Sequence, residues 1–171
     1  ILNVFGQIYN YNITYPIKII SDNEKKKLFE TIKKEQGYEQ KSFKKDDKVI
    51  MSVGLYIERK GILEFLELAK RCPMYKFIWF GYTKPSLIPE NVSKAIKNKP
   101  SNVEFPGYVN SEELKDAYAG CDLYIFPTKE ETEGIVLLEA LAMKTKTLIS
   151  DIPIYEGWLE DGKNVYKAKT V

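Results

Sequence analysis

Short apolar runs alternate with amphipathic segments along most of the chain. Apolar runs of the length of a buried strand occur at 49–53, 76–80, 102–105, 123–126, 147–150 and 164–166. Segments with a helical spacing of apolar residues separate most of these runs. Such regular alternation is typical of βα units that build a parallel sheet. We therefore predict an α/β fold with a doubly wound parallel sheet.

The segments between the predicted strands carry helix signals. Residues 61–71 place apolar and charged side chains on opposite faces of a helix. A weaker pattern predicts a helix at 89–98, and Asn110 followed by Glu113 has the spacing of a capping box that starts the next helix. Helices in these positions provide the crossovers that parallel strands need.

The amino-terminal part of the chain is less regular. Residues 1–15 mix asparagine and tyrosine with apolar residues, and we interpret them as a remnant of an interdomain or amino-terminal segment. Residues 16–171 are interpreted as one domain. In that domain, residues 16–20 predict a strand, and a capping-box pattern at 21–24 predicts a helix that ends near Gly37.

The most apolar segment is the helix predicted at 134–143. Every position in it is apolar or glycine except Glu139, so we expect this helix to be buried on nearly all sides. An ionised carboxylate in such surroundings costs free energy unless hydrogen bonds are donated to it. Glu139 is therefore either an acceptor for the hydroxyl groups of a ligand or the partner of a lysine in an ordinary buried helix.

Polar and glycine-containing turns follow the predicted strands rather than precede them. These turns lie at 54–61, 81–82, 106–109 and 127–134. Because the carboxyl ends of parallel strands share one edge of the sheet, we expect the turns to converge on one crevice, where such folds bind ligands. Glu131 lies in the last turn, just ahead of the helix that carries Glu139. Two carboxylates in this arrangement can hold two parts of one extended ligand.

Arg59 and Lys60 lie at the start of the helix predicted at 61–71. Backbone N–H groups and the helix dipole favour anions there, and two adjacent cations suit a diphosphate. Alternatively, both are surface charges, one of them paired with Glu58. Gly134 opens a second helix whose amino end also favours anions, so a diphosphate between the two helices can depart as an anion without a metal ion.

Composition narrows the possible chemistry. The 171 residues contain no histidine, which excludes histidine-based triads and histidine metal sites in this chain, and no Asp-x-Asp spacing offers metal ligands. The net charge of +2 is too weak to argue for nucleic acid. Cys72 and Cys121 are interpreted as small buried residues of a reducing compartment. The sequence has no apolar run of about 20 residues and no signal peptide, which predicts a cytoplasmic protein.

Several motifs taken together resemble a known family. They are Glu131-x7-Glu139 with Gly134 between the acids, Val53-Gly54, Lys60-Gly61 and Phe105-Pro106-Gly107-Tyr108-Val109. This combination is similar to the carboxy-terminal domain of retaining glycosyltransferases of family 4, which have the GT-B fold. The resemblance covers the chain from about residue 16 onward. It implies a Rossmann-like, nucleotide-sugar-binding half of such an enzyme, inactive without its amino-terminal domain.

The resemblance implies roles for three side chains. It implies that Glu139 binds the ribose hydroxyls of a nucleotide sugar, that Glu131 contacts the transferred sugar, and that Lys60 holds the diphosphate. Family members retain the anomeric configuration and work without a bound metal. The resemblance thus implies a UDP-sugar as donor substrate and no further cofactor.

The resemblance also places backbone groups at the donor. The positions concerned are Gly54, Tyr108, Val109, Gly134, Ile135 and Val136. Those at 108 and 109 would receive the base, although Tyr108 as ordinary packing is an equally open reading. Many family members carry arginine directly after the first-strand glycine, where this chain has Leu55. We expect Arg59 to replace that diphosphate contact.

A narrower resemblance concerns the acceptor. The segments at 54–61, 77–82 and 151–155 are similar to those of bacterial diacylglycerol glucosyltransferases, which make membrane glucolipids from UDP-glucose. This implies a lipid acceptor and a peripheral location at the inner face of the cell membrane. It also implies that an amino-terminal domain chooses the acceptor and that closing helices follow Val171. The alternatives are a nucleotide-sugar epimerase or phosphorylase with a similar fold, and a non-catalytic nucleotide-sugar-binding module.

Overall fold

The computed structural model of the chain describes residues 20–34 and 46–169. Residues 1–15, most of the strand predicted at 16–20 and the helix end predicted near Gly37 lie outside the described residues.

Six parallel strands form one sheet in the order β3–β2–β1–β4–β5–β6. The strands are β1 Val49–Val53, β2 Lys76–Phe80, β3 Val103–Gly107, β4 Leu123–Phe126, β5 Thr147–Ser150 and β6 Tyr166–Ala168. The chain runs outward from β1 to β3 and then returns to place β4 on the other side of β1. The predicted doubly wound parallel sheet is confirmed.

The last strand begins two residues later than predicted. Asp161 and Val165 form an isolated bridge, and the Gly162 N–H donates to the Val165 carbonyl at 2.8 Å. This turn occupies the start of the strand predicted at 164–166. Its apolar Val165 is buried, as in a strand, but it belongs to the turn and not to the sheet.

Five helices are described, and they cover both faces of the sheet. They are α1 Asp22–Lys34, α2 Ile62–Arg71, α3 Glu90–Lys97, α4 Ser111–Gly120 and α5 Ile135–Ala142. The predicted capping box of α4 is present, since the Asn110 side chain accepts from the N–H groups of Glu112 and Glu113. Within residues 20–34 and 46–169, no helix is both long and apolar enough to cross a membrane.

Two apolar clusters lie on opposite faces of the sheet. Along β1, Val49, Met51 and Val53 belong to the cluster under α4 and α5, whereas Ile50 belongs to the cluster under α2 and α3. This alternation follows from the two-residue period of a strand. Because helices cover both faces, all five residues of β1 are buried.

The prediction that α5 is buried on nearly all sides is wrong. Ile135, Glu139 and Ala142 are exposed, and Ile135 keeps 60% of its surface in solvent. These residues are four and three positions apart, so they form one face of the helix. The opposite face packs on the sheet through four buried residues: Leu137, Leu138, Ala140 and Leu141. Glu139 therefore lies on the solvent-exposed face of α5 and is not buried among aliphatic side chains.

Both cysteines are free. Cys121 is buried as predicted, but Cys72 is only partly buried. Cys72 directly follows α2, where its backbone N–H donates to the Leu68 carbonyl and ends the helix. Its position at a helix end explains why it is less buried than its apolar character predicts.

We predict that Gly61→Ala destabilises the protein far more than Gly157→Ala. Both glycines have a left-handed φ, 78° and 80°, so both substitutions share a backbone cost of about 1–2 kcal/mol. At Gly61 the added Cβ would also lie 2.0 Å from the Pro127 carbonyl oxygen, whereas nothing lies within 4 Å at Gly157. Urea denaturation of the two variants measures the difference, and equal losses would show that the backbone contact at Gly61 is unimportant.

Candidate functional site

The loops that follow β1 and β4 meet at the carboxyl edge of the sheet. Because β1 and β4 are neighbours, residues 54–61 and 127–134 lie side by side at the point where the strand order reverses. The Arg59 carbonyl oxygen accepts from the Lys129 N–H at 2.8 Å and from the Thr128 hydroxyl at 3.2 Å. The predicted convergence of these two turns is confirmed.

An ion pair between Lys60 and Glu131 joins the same two loops. The Lys60 Nζ lies 2.5 Å from Glu131 Oε2, and the two side chains are only 16% and 8% exposed. The ammonium group also lies 5.8 Å from the centre of the Phe126 ring, at the end of β4. Thr132 donates its backbone N–H to Glu131 Oε1 at 3.1 Å. Each carboxylate oxygen of Glu131 thus has a donor.

These donors keep Glu131 ionised. Burial raises the pKa of Glu131, but the hydrogen bonds from Lys60 and from the Thr132 N–H, with the charges of Lys60 and Arg59, outweigh burial and hold the pKa below its ordinary value. At neutral pH the pair is therefore a charged, hydrogen-bonded contact between a cation and an anion.

Arg59 lies next to this pair but contacts a different atom. Its guanidinium is exposed and donates through Nη1 to the backbone carbonyl of Glu130 at 2.8 Å. Glu58, the alternative partner of the two cations, instead accepts from the Asn91 side chain at 2.7 Å. Leu55 is 48% exposed in the same loop. The replacement of a missing arginine by Arg59 stays a prediction.

The start of α5 supplies backbone donors near Glu131. Gly134 caps the helix with φ 62°, and its carbonyl accepts from the N–H groups of residues 137 and 138. The N–H groups of Ile135 and Val136 come before the first intrahelical hydrogen bond. A Cβ added at Gly134 would lie 3.3 Å from Glu131 Cγ, so the start of α5 lies close to the Glu131 side chain.

Glu139 lies one helical turn further along α5, on the exposed face. Its contact is with a tyrosine rather than a lysine: the Tyr118 hydroxyl, which donates to the Val136 carbonyl at 2.9 Å, lies 3.3 Å from Glu139 Oε2. Burial raises the pKa of Tyr118, and the charge of Glu139 raises it further. The hydroxyl therefore stays protonated, and its single proton has the Val136 carbonyl and the Glu139 carboxylate as acceptors within reach.

Gly54 is held within the protein at both of its backbone polar groups. Its N–H donates to the Phe80 carbonyl at 3.0 Å, and its carbonyl accepts from the Trp79 indole at 2.9 Å. A Cβ on Gly54 would lie 3.6 Å from Lys60 Cβ. Gly54 therefore lies next to the Lys60 stem, and its predicted contact with a donor stays a prediction.

Tyr108 and Val109 follow β3 and differ in burial. Tyr108 is 70% exposed, so the reading of Tyr108 as ordinary packing is wrong, whereas Val109 is buried at 6%. Since β2 separates β3 from β1, Tyr108 lies about two strand spacings, or about 10 Å, from the loop of Lys60. The Tyr108 ring is thus exposed, and the predicted contact of residues 108 and 109 with a base stays a prediction.

Residues 33–170 match the family described as "Glycosyl transferases group 1". The chain belongs to this family. It is 47% identical over 122 residues to the processive diacylglycerol alpha-glucosyltransferase of Acholeplasma laidlawii, which covers 71% of this chain and 37% of that relative. It is 30% identical over 115 residues to the alpha-galactosylglucosyldiacylglycerol synthase of Streptococcus pneumoniae strain R6, which covers 66% of this chain and 31% of that relative. The chain therefore spans about a third of the curated relatives it matches.

Solved structures agree on the fold. A crystal structure of Anabaena Alr3699/HepE in complex with UDP and glucose aligns with a TM-score of 0.66 at 16% identity, over 91% of this chain and 42% of that chain. At this level of identity the likeness concerns the fold alone. The sheet of this group 1 glycosyltransferase domain thus matches the GT-B architecture that the resemblance implied.

Three residues near the site were not found by sequence reasoning. Phe126 lies under the Lys60 ammonium group, Tyr118 contacts Glu139, and the Tyr155 hydroxyl lies near Gly134. Phe126 belongs to the apolar strand predicted at 123–126, and both Phe126 and Tyr118 are buried. For Tyr118 and Tyr155 a chemical signal was available, because a buried tyrosine brings a hydroxyl that needs a partner.

We predict that Glu131→Gln lowers the free energy of unfolding of this glycosyltransferase domain by about 2–3 kcal/mol at pH 7. This cost lies between the costs of breaking an exposed ion pair and a buried one, because the Lys60–Glu131 pair is only partly exposed. The pKa of Glu131 is lowered on folding, so the contribution of its charge is present above the ordinary glutamate pKa and is lost as pH falls through the lowered value. Urea denaturation at pH 7 and at pH 3 should therefore show the difference from the wild type shrinking in acid.

Glu112→Gln is the matched control for this substitution. Glu112 forms an exposed pair with Lys115 at 2.7 Å, with side-chain exposures of 82% and 57%. Its loss should cost less than about 1 kcal/mol at either pH. A Glu131→Gln variant that behaves like this control would mean that the Lys60–Glu131 contact is an ordinary surface pair.

Proposed function

We propose that this chain is the donor-binding domain of a retaining, metal-independent glycosyltransferase that moves glucose from UDP-glucose to a lipid acceptor such as diacylglycerol. The chain is 47% identical to a relative named as a diacylglycerol glucosyltransferase, which supports glucose as the transferred sugar and diacylglycerol as the acceptor. Because the chain spans about a third of that relative, the proposed acceptor site lies mainly in the rest of the protein. That protein would work at the cytoplasmic face of the membrane that holds its acceptor.

The observation that carries this proposal is the Lys60–Glu131 pair at the switch point of the sheet. A partly buried cation and an ionised acid lie there 2.5 Å apart, close to the amino end of α5. A hexosyl diphosphate needs both groups, since its phosphates are anionic and its sugar hydroxyls donate hydrogen bonds. The pair therefore supplies complementary groups for the two sides of the bond that breaks.

The pair must separate for the donor to bind as proposed. Lys60 would turn from Glu131 to the diphosphate, where its charge and the N–H groups of α5 stabilise the departing UDP. Glu131, which stays ionised because its pKa is lowered, would accept a hydrogen bond from a hexose hydroxyl. The sugar is then fixed relative to the leaving group, which lowers the entropic part of the barrier. Attack on the face from which UDP leaves retains the configuration.

Glu139 is suited to the ribose because it is accessible. Two neighbouring hydroxyls can donate to its two oxygens, and the Tyr118 hydroxyl lies 3.3 Å from one of these oxygens. Glu139 lies four residues, or about 6 Å, beyond Ile135 along α5. This separation matches a ligand that extends from the amino end of the helix along its exposed face.

We predict that the full-length protein transfers radiolabelled glucose from UDP-glucose to diacylglycerol in mixed micelles, with and without EDTA. Glu131→Gln should lower kcat by at least about 100-fold, because the charged acceptor for the hexose is lost. Glu133→Gln, an exposed glutamate two residues away in the same loop, is the matched control and should keep full activity. Equal activity of the wild type and Glu131→Gln would contradict the role given to Glu131.

Calorimetric titration of the same protein separates donor binding from transfer. Lys60→Ala and Arg59→Ala should each weaken UDP-glucose binding by about 10-fold or more, as expected for the loss of a charge-assisted hydrogen bond. Glu139→Ala should weaken binding of UDP as well as of UDP-glucose, since the ribose is common to both. Unchanged affinity in Arg59→Ala would contradict the compensation for Leu55, and selective binding of GDP-mannose would contradict the proposed donor.

A further inference from the structure

The Tyr155 hydroxyl is buried close to the site without a partner. Tyr155 ends the short 3₁₀ turn Pro153–Tyr155 that follows β5, and the residue is 1% exposed. Its ring packs edge-to-face on Trp158 at 5.8 Å. Among the described residues no group forms a hydrogen bond with its hydroxyl oxygen. A buried hydroxyl without a partner costs free energy, so its retention calls for an explanation.

The Tyr155 hydroxyl and the Glu131 side chain both lie close to Gly134. A Cβ added at Gly134 would lie 3.6 Å from the Tyr155 hydroxyl, 3.3 Å from Glu131 Cγ and 3.5 Å from Phe126 Cε1. The hydroxyl and the Glu131 side chain thus approach each other over a glycine at the start of α5.

The hydroxyl can act only as a donor to an anion here. Burial raises the pKa of Tyr155, and the negative charge of Glu131 raises it further, so the phenol stays protonated at neutral pH. Its oxygen has almost no contact with solvent, so a bound ligand does not reach it without displacing protein atoms. The Glu131 carboxylate is the charged acceptor whose field acts on this hydroxyl.

Glu131 loses one of its hydrogen-bond donors if Lys60 moves away. In the structure Lys60 occupies Oε2 and the Thr132 N–H occupies Oε1. On the proposed function, on which this step rests, Lys60 turns to the diphosphate and Oε2 loses its donor. We propose that Tyr155 is a positioning residue whose hydroxyl then donates to the Glu131 carboxylate and holds it against the hexose. The carboxylate then accepts from Tyr155 in the protein as well as from the hexose hydroxyl.

The test compares Tyr155→Phe with the wild type in the full-length protein. Removal of the hydroxyl should lower kcat for glucose transfer by about 10-fold, the loss expected for one hydrogen bond to a charged group. KM for UDP-glucose should stay within about two-fold, because Lys60 and Glu139 still bind the donor. In a Glu131→Gln background, Tyr155→Phe should change kcat by less than about two-fold, since the hydroxyl acts through the carboxylate.

Tyr124→Phe is the matched control. The Tyr124 hydroxyl is also buried without a hydrogen-bond partner in the described part of the chain, but Tyr124 packs against Tyr118 and Phe126 and is not among the groups nearest to Gly134. This variant should keep kcat and KM within about two-fold of the wild type. Without donor, Tyr155→Phe should unfold at the same urea concentration as the wild type or a higher one, because the hydroxyl it lacks is unpaired in the free protein.

The outcomes separate this inference from the proposed function. If the wild type transfers glucose and Glu131→Gln does not, while Tyr155→Phe has normal kcat, the inference is wrong and the proposed function stands. An equal loss from Tyr155→Phe in both backgrounds, or a lowered urea midpoint, would show a structural role and also overturn it. A wild-type protein that transfers no hexose overturns the proposed function and this inference with it.

Discussion

The contact between the loops that follow β1 and β4 determines the geometry of the whole site. Its backbone part is the packing of Gly61 on the Pro127 carbonyl, and its side-chain part is the ion pair of Lys60 with Glu131. Both loops leave neighbouring parallel strands at the switch point, so the topology of the sheet brings them together. The ion pair then fixes how the two helix starts face each other, and α5 carries the remaining acid.

The Lys60–Glu131 ion pair has one role in the free protein and another in the proposed donor complex. In the free protein the pair satisfies two charges that burial would otherwise penalise, and it holds the loops in register. In the proposed donor complex the same two groups bind opposite sides of the scissile bond. The diphosphate must compete with Glu131 for Lys60, so part of the binding free energy is spent on breaking the pair. The tyrosine hydroxyls at 118 and 155 lie near these two acids.

The alternation of apolar runs was sufficient to predict the parallel sheet, because strand length and helical period are local properties of the sequence. The motif with Glu131 and Lys60 likewise predicted two residues that the structure brings into contact. The burial of Glu139 was wrongly predicted, because composition does not reveal which face of α5 meets the sheet. The partners Tyr118 and Tyr155 come from other elements, and their contacts depend on tertiary packing that spacing does not encode.

The central claim is that the nucleotide sugar replaces Glu131 as the partner of Lys60. A crystal structure of the full-length protein with UDP-glucose tests this claim most directly. We expect Lys60 Nζ within about 3 Å of a diphosphate oxygen and Glu131 in hydrogen-bond contact with the hexose. A complex in which the nucleotide sugar is bound while Lys60 and Glu131 remain paired would contradict it.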